Sequence, residues 1–190
     1  PIAWGAPANK MPPFVFDVAT TQVAANKLAL TRRIGSKIEP GWIANLDGSP
    51  IMEAVDVPEF GQFKMLPFGG IRENGGHKGY GFAAIADIMS GILSGNGPGF
   101  IADRSYSFFV MAFNVDAFLD VNDFKDDMDK LLHKLANTKP APGHERVFYA
   151  GLPEHEETEI RQKNGIPYHR EVVEWFNSVS SELDLDMSMP

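Results

Sequence analysis

Apolar residues recur along this chain in two rhythms. Between 120 and 136, Val121, Phe124, Met128, Leu131, Leu132 and Leu135 fall at steps of three and four. That is the period of one helix face, so an amphipathic helix is predicted there. Asp120, Asn122 and Asp123 open it, and Lys130, His133 and Lys134 close it, as the helix dipole favours. His133 is read as a surface residue. A second helix runs from a cap at Thr20 or Thr21 to Ile34, with Val23, Lys27, Leu30 and Ile34 on one face. A third enters through the turn at 150–153; glutamates load its first turns, and Arg161 and Lys163 end it before Asn164-Gly165. The last follows Pro167, with Val172, Phe176, Val179 and Leu183 as its stripe. Residues 185–190 are expected to fray. Strand composition marks FVFDV at 14–18, SFFVMAFNV at 107–115 and RVFY at 146–149. Asp47-Gly48 suggests a hairpin between 42–44 and 50–52.

Residues 80–94 are apolar on nearly every side. The pattern predicts a buried helix, in which Asp87 needs a partner or an edge. Immediately before it lies LPFGGIRENGGHKGYG, at 66–81. Six glycines, a lysine and a histidine share these sixteen residues. Glycine lets a backbone approach a ligand closely, and a helix start just beyond supplies free N–H groups and partial positive charge. With Lys78 ahead of that start, the stretch reads as a binding loop for an anionic or polar ligand. The alternative is a plain connection. His77 is a general acid or base, a ligand contact, or a side chain that only shapes the loop. At the strand-to-helix turn, Asp17 and the threonines either bind a ligand or satisfy local backbone donors.

Composition narrows the classes. The 190 residues suit one domain or slightly more, and 44% hydrophobic content supports a packed core. A net charge of −8 offers no field for nucleic acid. The longest apolar stretch is broken by Asp87, so no membrane span is expected. No basic-then-apolar leader pattern opens the sequence, and the expected compartment is cytoplasmic. Cysteine is absent, which removes disulfides and thiolate chemistry. The opening PIAWGAP reads like the interior of a longer protein.

Familiar motifs fail here. Lys78 is followed by Gly79 and preceded by His77, so no phosphate loop is formed. Gly79-Tyr-Gly-Phe-Ala-Ala84 matches the dinucleotide fingerprint formally, but a polar glycine loop precedes it instead of a hydrophobic strand. No histidine pair has zinc spacing, and no nucleophile elbow occurs. Glu53, Asp56 and Glu59 read as a solvated acidic loop.

Six motifs carry a resemblance: PIAWGAP at 1–7, FDVATT at 16–21, IEPGW at 38–42, LPFGG at 66–70, GGHKGYG at 75–81 and RQKNGIP at 161–167. In these the chain resembles the type 2 malate/L-lactate dehydrogenases, a family that includes ureidoglycolate and sulfolactate dehydrogenases and a cyclic-imine reductase. The resemblance implies an α+β, non-Rossmann NAD(P)-binding fold around a largely antiparallel or mixed sheet flanked by helices. It implies hydride transfer between NAD or NADP and C2 of a small 2-hydroxy or 2-oxo acid. It further implies a homodimer, or association of this half with its own N-terminal half. Two alternatives remain: a non-catalytic nucleotide- or partner-binding module, and an imine reductase of the same fold.

On the family pattern Asp17, Val18, Ala19 and Thr20 contact the cofactor from one segment, and His77 and Lys78 from a second. Gly151, Leu152 and Pro153 match a third; polar residues usually follow that glycine, so Leu152 and Pro153 depart from the pattern. Asn26 stands where glycine is common, and PIME at 50–53 replaces a threonine-rich stretch. The family's proton-transferring histidine and substrate-gripping arginine belong upstream of a segment equivalent to Pro1. The implied division is a cofactor-binding α+β domain at 1–115, incomplete at its N-terminus. A helical part at 116–190 would return to the cofactor site and pack on the rest. No catalytic residue and no metal ligand are assigned on this chain.

Overall fold

A computed structural model describes residues 1–101 and 106–185. The architecture is α+β, with helices and short strand pairs. Two compact units divide the chain, one of residues 1–5 and 15–123, the other of residues 6–14 and 124–190.

In the first unit, β1 (Ile2–Ala6) pairs with β2 (Phe14–Val18). Helix α1 (Ala25–Arg33) follows. Its N-cap is Ala24, with no side-chain cap bond, so neither threonine caps it. Thr21 instead turns its hydroxyl to the Val23 carbonyl, 2.7 Å away, and that local bond takes it out of capping reach. The core of this unit gathers beneath α1. Val23, Leu28, Ile38, Ile43 and Phe63 are buried together, and Trp42, Ile51, Val55, Val57 and Met65 close around them. The face α1 buries is thus set by Leu28 and Thr31, whereas Leu30 and Ile34 of the expected stripe are exposed. Lys27 lies along the apolar surface as expected of its stem, with Nζ 4.6 Å from the Trp42 ring centroid.

The hairpin at Asp47-Gly48 forms. Ala44 bridges Pro50, and the Asn45 N–H donates to the Ser49 carbonyl at 2.8 Å. Strand β3 (Ile43–Ala44) also pairs antiparallel with β4 (Lys64–Met65), Ile43 opposite Met65. Arg32 ties the intervening loop down. Its guanidinium donates to the carbonyls of Val57 and Pro58 and pairs with Glu59 at 3.3 Å. Helix α2 (Gly76–Asp87) runs on into a π-helical turn, Ile88–Ile92. Asp87 finds the partner it needs: its carboxylate accepts the Gly99 N–H at 3.0 and 3.2 Å. Burial of this helix is not observed. Tyr80 is 72% exposed and Leu93 64%, because no described residue covers these sides. Residues 107–114 carry strand-forming side chains but take no regular structure; among the described residues no strand pairs with them.

The second unit is helical. Helix α3 (Val121–Ala136) begins where its pattern predicts, Asp120 accepting the Asn122 N–H at 2.8 Å. Its buried residue is Leu132, and His133 is exposed. Helices α4 (Leu152–Asn164) and α5 (Arg170–Glu182) complete the unit. Residues 146–149 are irregular, so the strand expected there is absent. Tyr149 is instead pinned singly: it is buried, and its hydroxyl donates to the Pro12 carbonyl at 3.1 Å. Asp129 on α3 holds the 9–11 turn, accepting the N–H groups of Asn9, Lys10 and Met11 at 2.8–3.0 Å. These bonds, that of Met11 foremost, hold its carboxyl below the ordinary aspartate range. From residue 186 on, the expected fraying lies outside the described residues. Among the described residues, no helix is long and apolar enough to cross a membrane.

Leu28 is fully buried, so Leu28→Ala should cost about 2–5 kcal/mol in denaturant unfolding. A lowered carboxyl pKa stabilises the fold above the unfolded value, and the contribution is lost as pH falls. Asp129→Asn should therefore lower the melting temperature at neutral pH and flatten its decline below the ordinary aspartate pKa. A melting series against pH reads both effects.

Candidate functional site

Two of the three expected contact segments lie in the first unit, and the structure stitches them together. The Phe68 N–H donates to the Thr20 carbonyl at 2.9 Å, and the Gln22 N–H to the Leu66 carbonyl at 2.8 Å. Thr21 bridges Pro67. The Gln22 Oε1 accepts the Gly69 N–H at 2.9 Å. The far side of the Phe68 peptide meets α2. A Cβ at Gly79 would overlap the Phe68 carbonyl oxygen and lie 2.6 Å from its nitrogen. The backbone of Phe68 is therefore held between the turn after β2 and the first turn of α2.

Three of the six glycines serve this contact. A Cβ at Gly76 would overlap the Gly70 oxygen, and one at Gly69 would lie 2.9 Å from the Gly75 carbonyl carbon. Gly69, Gly70 and Gly75 also have φ between +67° and +96°, where other residues are strained. The loop is closed on protein backbone and is not an open cradle. Five of its amides are used as well. Gly70 donates to Pro67, Asn74 and Gly76 to Ile71, Gly75 to Arg72 and Lys78 to Gly75, all between 2.7 and 3.1 Å. The helix starts four residues earlier than the apolar pattern alone suggests, because Gly75 in a left-handed conformation begins it. His77 and Lys78 thus sit in its first turn.

What remains for a ligand is side chains and the amides that no described bond uses, that of His77 among them. Asp17, His77 and Lys78 are exposed, and Val18, Ala19 and Thr20 are half-buried. Among the described residues, no hydrogen bond or ion pair engages the Asp17 carboxylate, the His77 ring or the Lys78 ammonium. The local-donor alternative for Asp17 therefore does not describe it, and the Thr21 hydroxyl engages a local acceptor instead, the Val23 carbonyl. The Lys78 stem folds over Gly75, its outer atoms 3.5–3.8 Å from the Cβ position there. Gln22 is the positioning residue that the sequence reading passes over. Its one signal is an amide side chain between the threonines and the first buried apolar residue, Val23.

The third segment belongs to the second unit. Gly151 is buried, has φ +95° and starts α4. The Leu152 N–H donates to the Tyr149 carbonyl at 3.1 Å, and Pro153 has no N–H. This turn therefore offers no amide donor at either position. Among the described residues no group of three or more acidic or histidine side chains can hold a metal.

A family model described as malate/L-lactate dehydrogenase matches residues 1–177. The chain belongs to the malate/L-lactate dehydrogenase family. A malate dehydrogenase of Pyrococcus horikoshii is 33% identical over 98% of this chain and 53% of its own length. An L-lactate dehydrogenase of Cupriavidus necator is 32% identical over 80% of this chain and 43% of its own. The crystal structure of malate dehydrogenase from Entamoeba histolytica superposes with a TM-score of 0.85 at 28% identity, covering 98% of this chain and 55% of that one. This malate/L-lactate dehydrogenase family member spans about half the length of the relatives it matches.

The packing role of the glycines separates two substitutions two residues apart on α2. Gly79→Ala should cost about 1–3 kcal/mol of stability, the scale of core overpacking. At Gly81 no atom lies within 4 Å of an added Cβ, so Gly81→Ala should be neutral or stabilising by up to about 1 kcal/mol. Paired urea titrations check the contrast.

Proposed function

We propose that this chain is the cofactor-binding portion of an NAD(P)-dependent oxidoreductase. The reaction moves a hydride between nicotinamide and C2 of a small 2-hydroxy or 2-oxo acid such as malate or lactate. The observation that carries the reading is the Phe68 backbone held between the turn after β2 and α2. It locks the end of β2 to the start of α2 and leaves a carboxylate and an ammonium on these segments with no protein partner.

The residues suit a dinucleotide. Lys78 offers a full positive charge to a phosphate or ribose oxygen, and Asp17 accepts hydrogen bonds from ribose hydroxyls. Val18, Ala19 and Thr20 supply backbone and apolar surface beside them, and His77 a further polar contact. Gly151, Leu152 and Pro153 are kept as a third contact on the family pattern, acting through side-chain surface and carbonyls. The bound nicotinamide would supply the hydride chemistry. The chain's share is to orient it, and that share needs no Rossmann crossover. Residues 1–115 form the cofactor-binding part in this reading, and 116–190 the helical part. The proton-transferring histidine is expected outside these residues, so the 190-residue chain alone is proposed to be inactive. A cytoplasmic homodimer is the proposed setting of the complete enzyme.

Lys78→Ala should raise the NADH or NADPH dissociation constant of the complete enzyme by about 1–3 kcal/mol, the scale of a charge-assisted hydrogen bond. Unchanged affinity in a fluorescence titration removes Lys78 from the site. The isolated 190-residue chain should show no turnover with malate or lactate. Turnover there would place the base within it, with His77 the first group to replace.

A further inference from the structure

The glycine loop carries a second cation besides Lys78. Arg72 is exposed and opens a 3-10 turn, Arg72–Asn74, that leads into α2. Its backbone is held on both sides. The Ile71 carbonyl accepts the N–H groups of Asn74 and Gly76, and the Arg72 carbonyl accepts that of Gly75 at 3.0 Å. A Cβ at Gly76 would lie 3.1 Å from the Ile71 oxygen, so the turn rests directly on the helix start. Arg72 therefore projects from a fixed origin, as Lys78 does. Among the described residues no hydrogen bond, ion pair or ring contact engages its guanidinium.

The two cations begin close together. The Lys78 stem folds back over Gly75, with Nζ 3.8 Å from the Cβ position there. Arg72 stands one 3-10 turn before Gly75, about 6 Å along the helix. An arginine side chain is long enough to close that gap, so guanidinium and ammonium can meet on a single phosphate group. Glu73 does not stand between them. Adjacent side chains leave a 3-10 helix about 120° apart, and among the described residues Glu73 pairs with neither cation.

A second full charge asks for more anion than one phosphodiester offers. The pyrophosphate bridge is common to NAD and NADP and carries one charge on each phosphorus. The group that distinguishes them is the 2′-phosphate of NADP. A phosphomonoester carries a charge of about −1.5 to −2 at neutral pH and three accepting oxygens. A planar guanidinium takes two such oxygens together, and an ammonium is a point charge for the third.

We infer that Arg72, together with Lys78, reads the 2′-phosphate of NADP(H), so that the complete enzyme prefers NADPH to NADH. This rests on the cofactor assignment proposed above and specifies which dinucleotide the site selects. It also settles the part of Asp17. A carboxylate at the adenine ribose favours a free 2′-hydroxyl and repels a phosphate there, so Asp17 is left to the nicotinamide ribose.

The test is titration of the complete enzyme with 2′,5′-ADP and 5′-ADP, and then with NADPH and NADH. The 2′-phosphorylated member of each pair should bind the wild type at least tenfold more tightly. Arg72→Gln should cut that ratio to about twofold or less by weakening the 2′-phosphorylated member alone, and Arg72→Lys should restore part of it. A merely structural role would weaken both members equally. Asp17→Asn should weaken NADPH and NADH by the same factor and leave the two ADP compounds unchanged, since these lack the nicotinamide ribose. Equal binding within each pair, a preference for NADH, or an Arg72→Gln variant with the wild-type ratio overturns the inference and leaves the cofactor reading standing. An Asp17→Asn variant that binds 2′,5′-ADP more tightly places Asp17 at the adenine ribose and overturns it as well. Binding of none of the four compounds removes the cofactor reading, and this inference with it.

Discussion

The first unit depends on a contact in which no side chain takes part. The glycine face of α2 lies directly on the backbone of 68–71, at a distance that a single methyl group would break. Because the spacing is set by backbone on backbone, it holds the helix start and the turn after β2 in one register. The Gln22 amide and the Thr20 carbonyl extend that register to the strand. Lys78 gains a fixed origin from an arrangement in which its own side chain stays exposed.

This changes what the glycines mean. A glycine-rich loop ahead of a helix suggests amides presented to an anion. Here five of those amides are taken by carbonyls within the loop, and the space beside Gly76 and Gly79 is occupied by protein backbone. The packing leaves two charged side chains, Asp17 and Lys78, with no hydrogen bond or ion pair among the described residues. The second unit uses a carboxylate in the complementary way. Asp129 is fully engaged by the 9–11 turn and has a structural role, although it is no less acidic in sequence than Asp17.

Legibility followed the range of the interaction. Helices α3, α4 and α5 could be read from their own residues, because caps, charges and three-four spacing are local. The Asp47-Gly48 hairpin was equally local. The segment at 107–115 has an unmistakable strand composition, but a strand exists only with a neighbour, and composition cannot supply one. The apolar run at 80–94 was read as buried from its composition. Burial is a property of everything that packs on a helix, and among the described residues no neighbour covers these sides. Asp17 and Lys78 stood out in the local pattern, and motif resemblance attached a cofactor role to them. Gln22 belongs to no motif, and its role appears only when the Gly69 amide is seen to need an acceptor.

The π-helical turn at 88–92 has a consequence for how this surface is mapped. Inserting one residue into a helical turn rotates everything after it by about 100° relative to an ordinary wheel. Ile92 and Leu93 therefore do not continue the stripes begun by Phe82 and Ile85, as a regular projection would place them. The close approach of Gly91 to the Gly97 carbonyl oxygen, 2.6 Å from a notional Cβ, and the Asp87 bond to Gly99 hold this offset in place. A sequence alignment that preserves the helix but loses the extra residue would present a differently directed apolar surface with an almost identical composition.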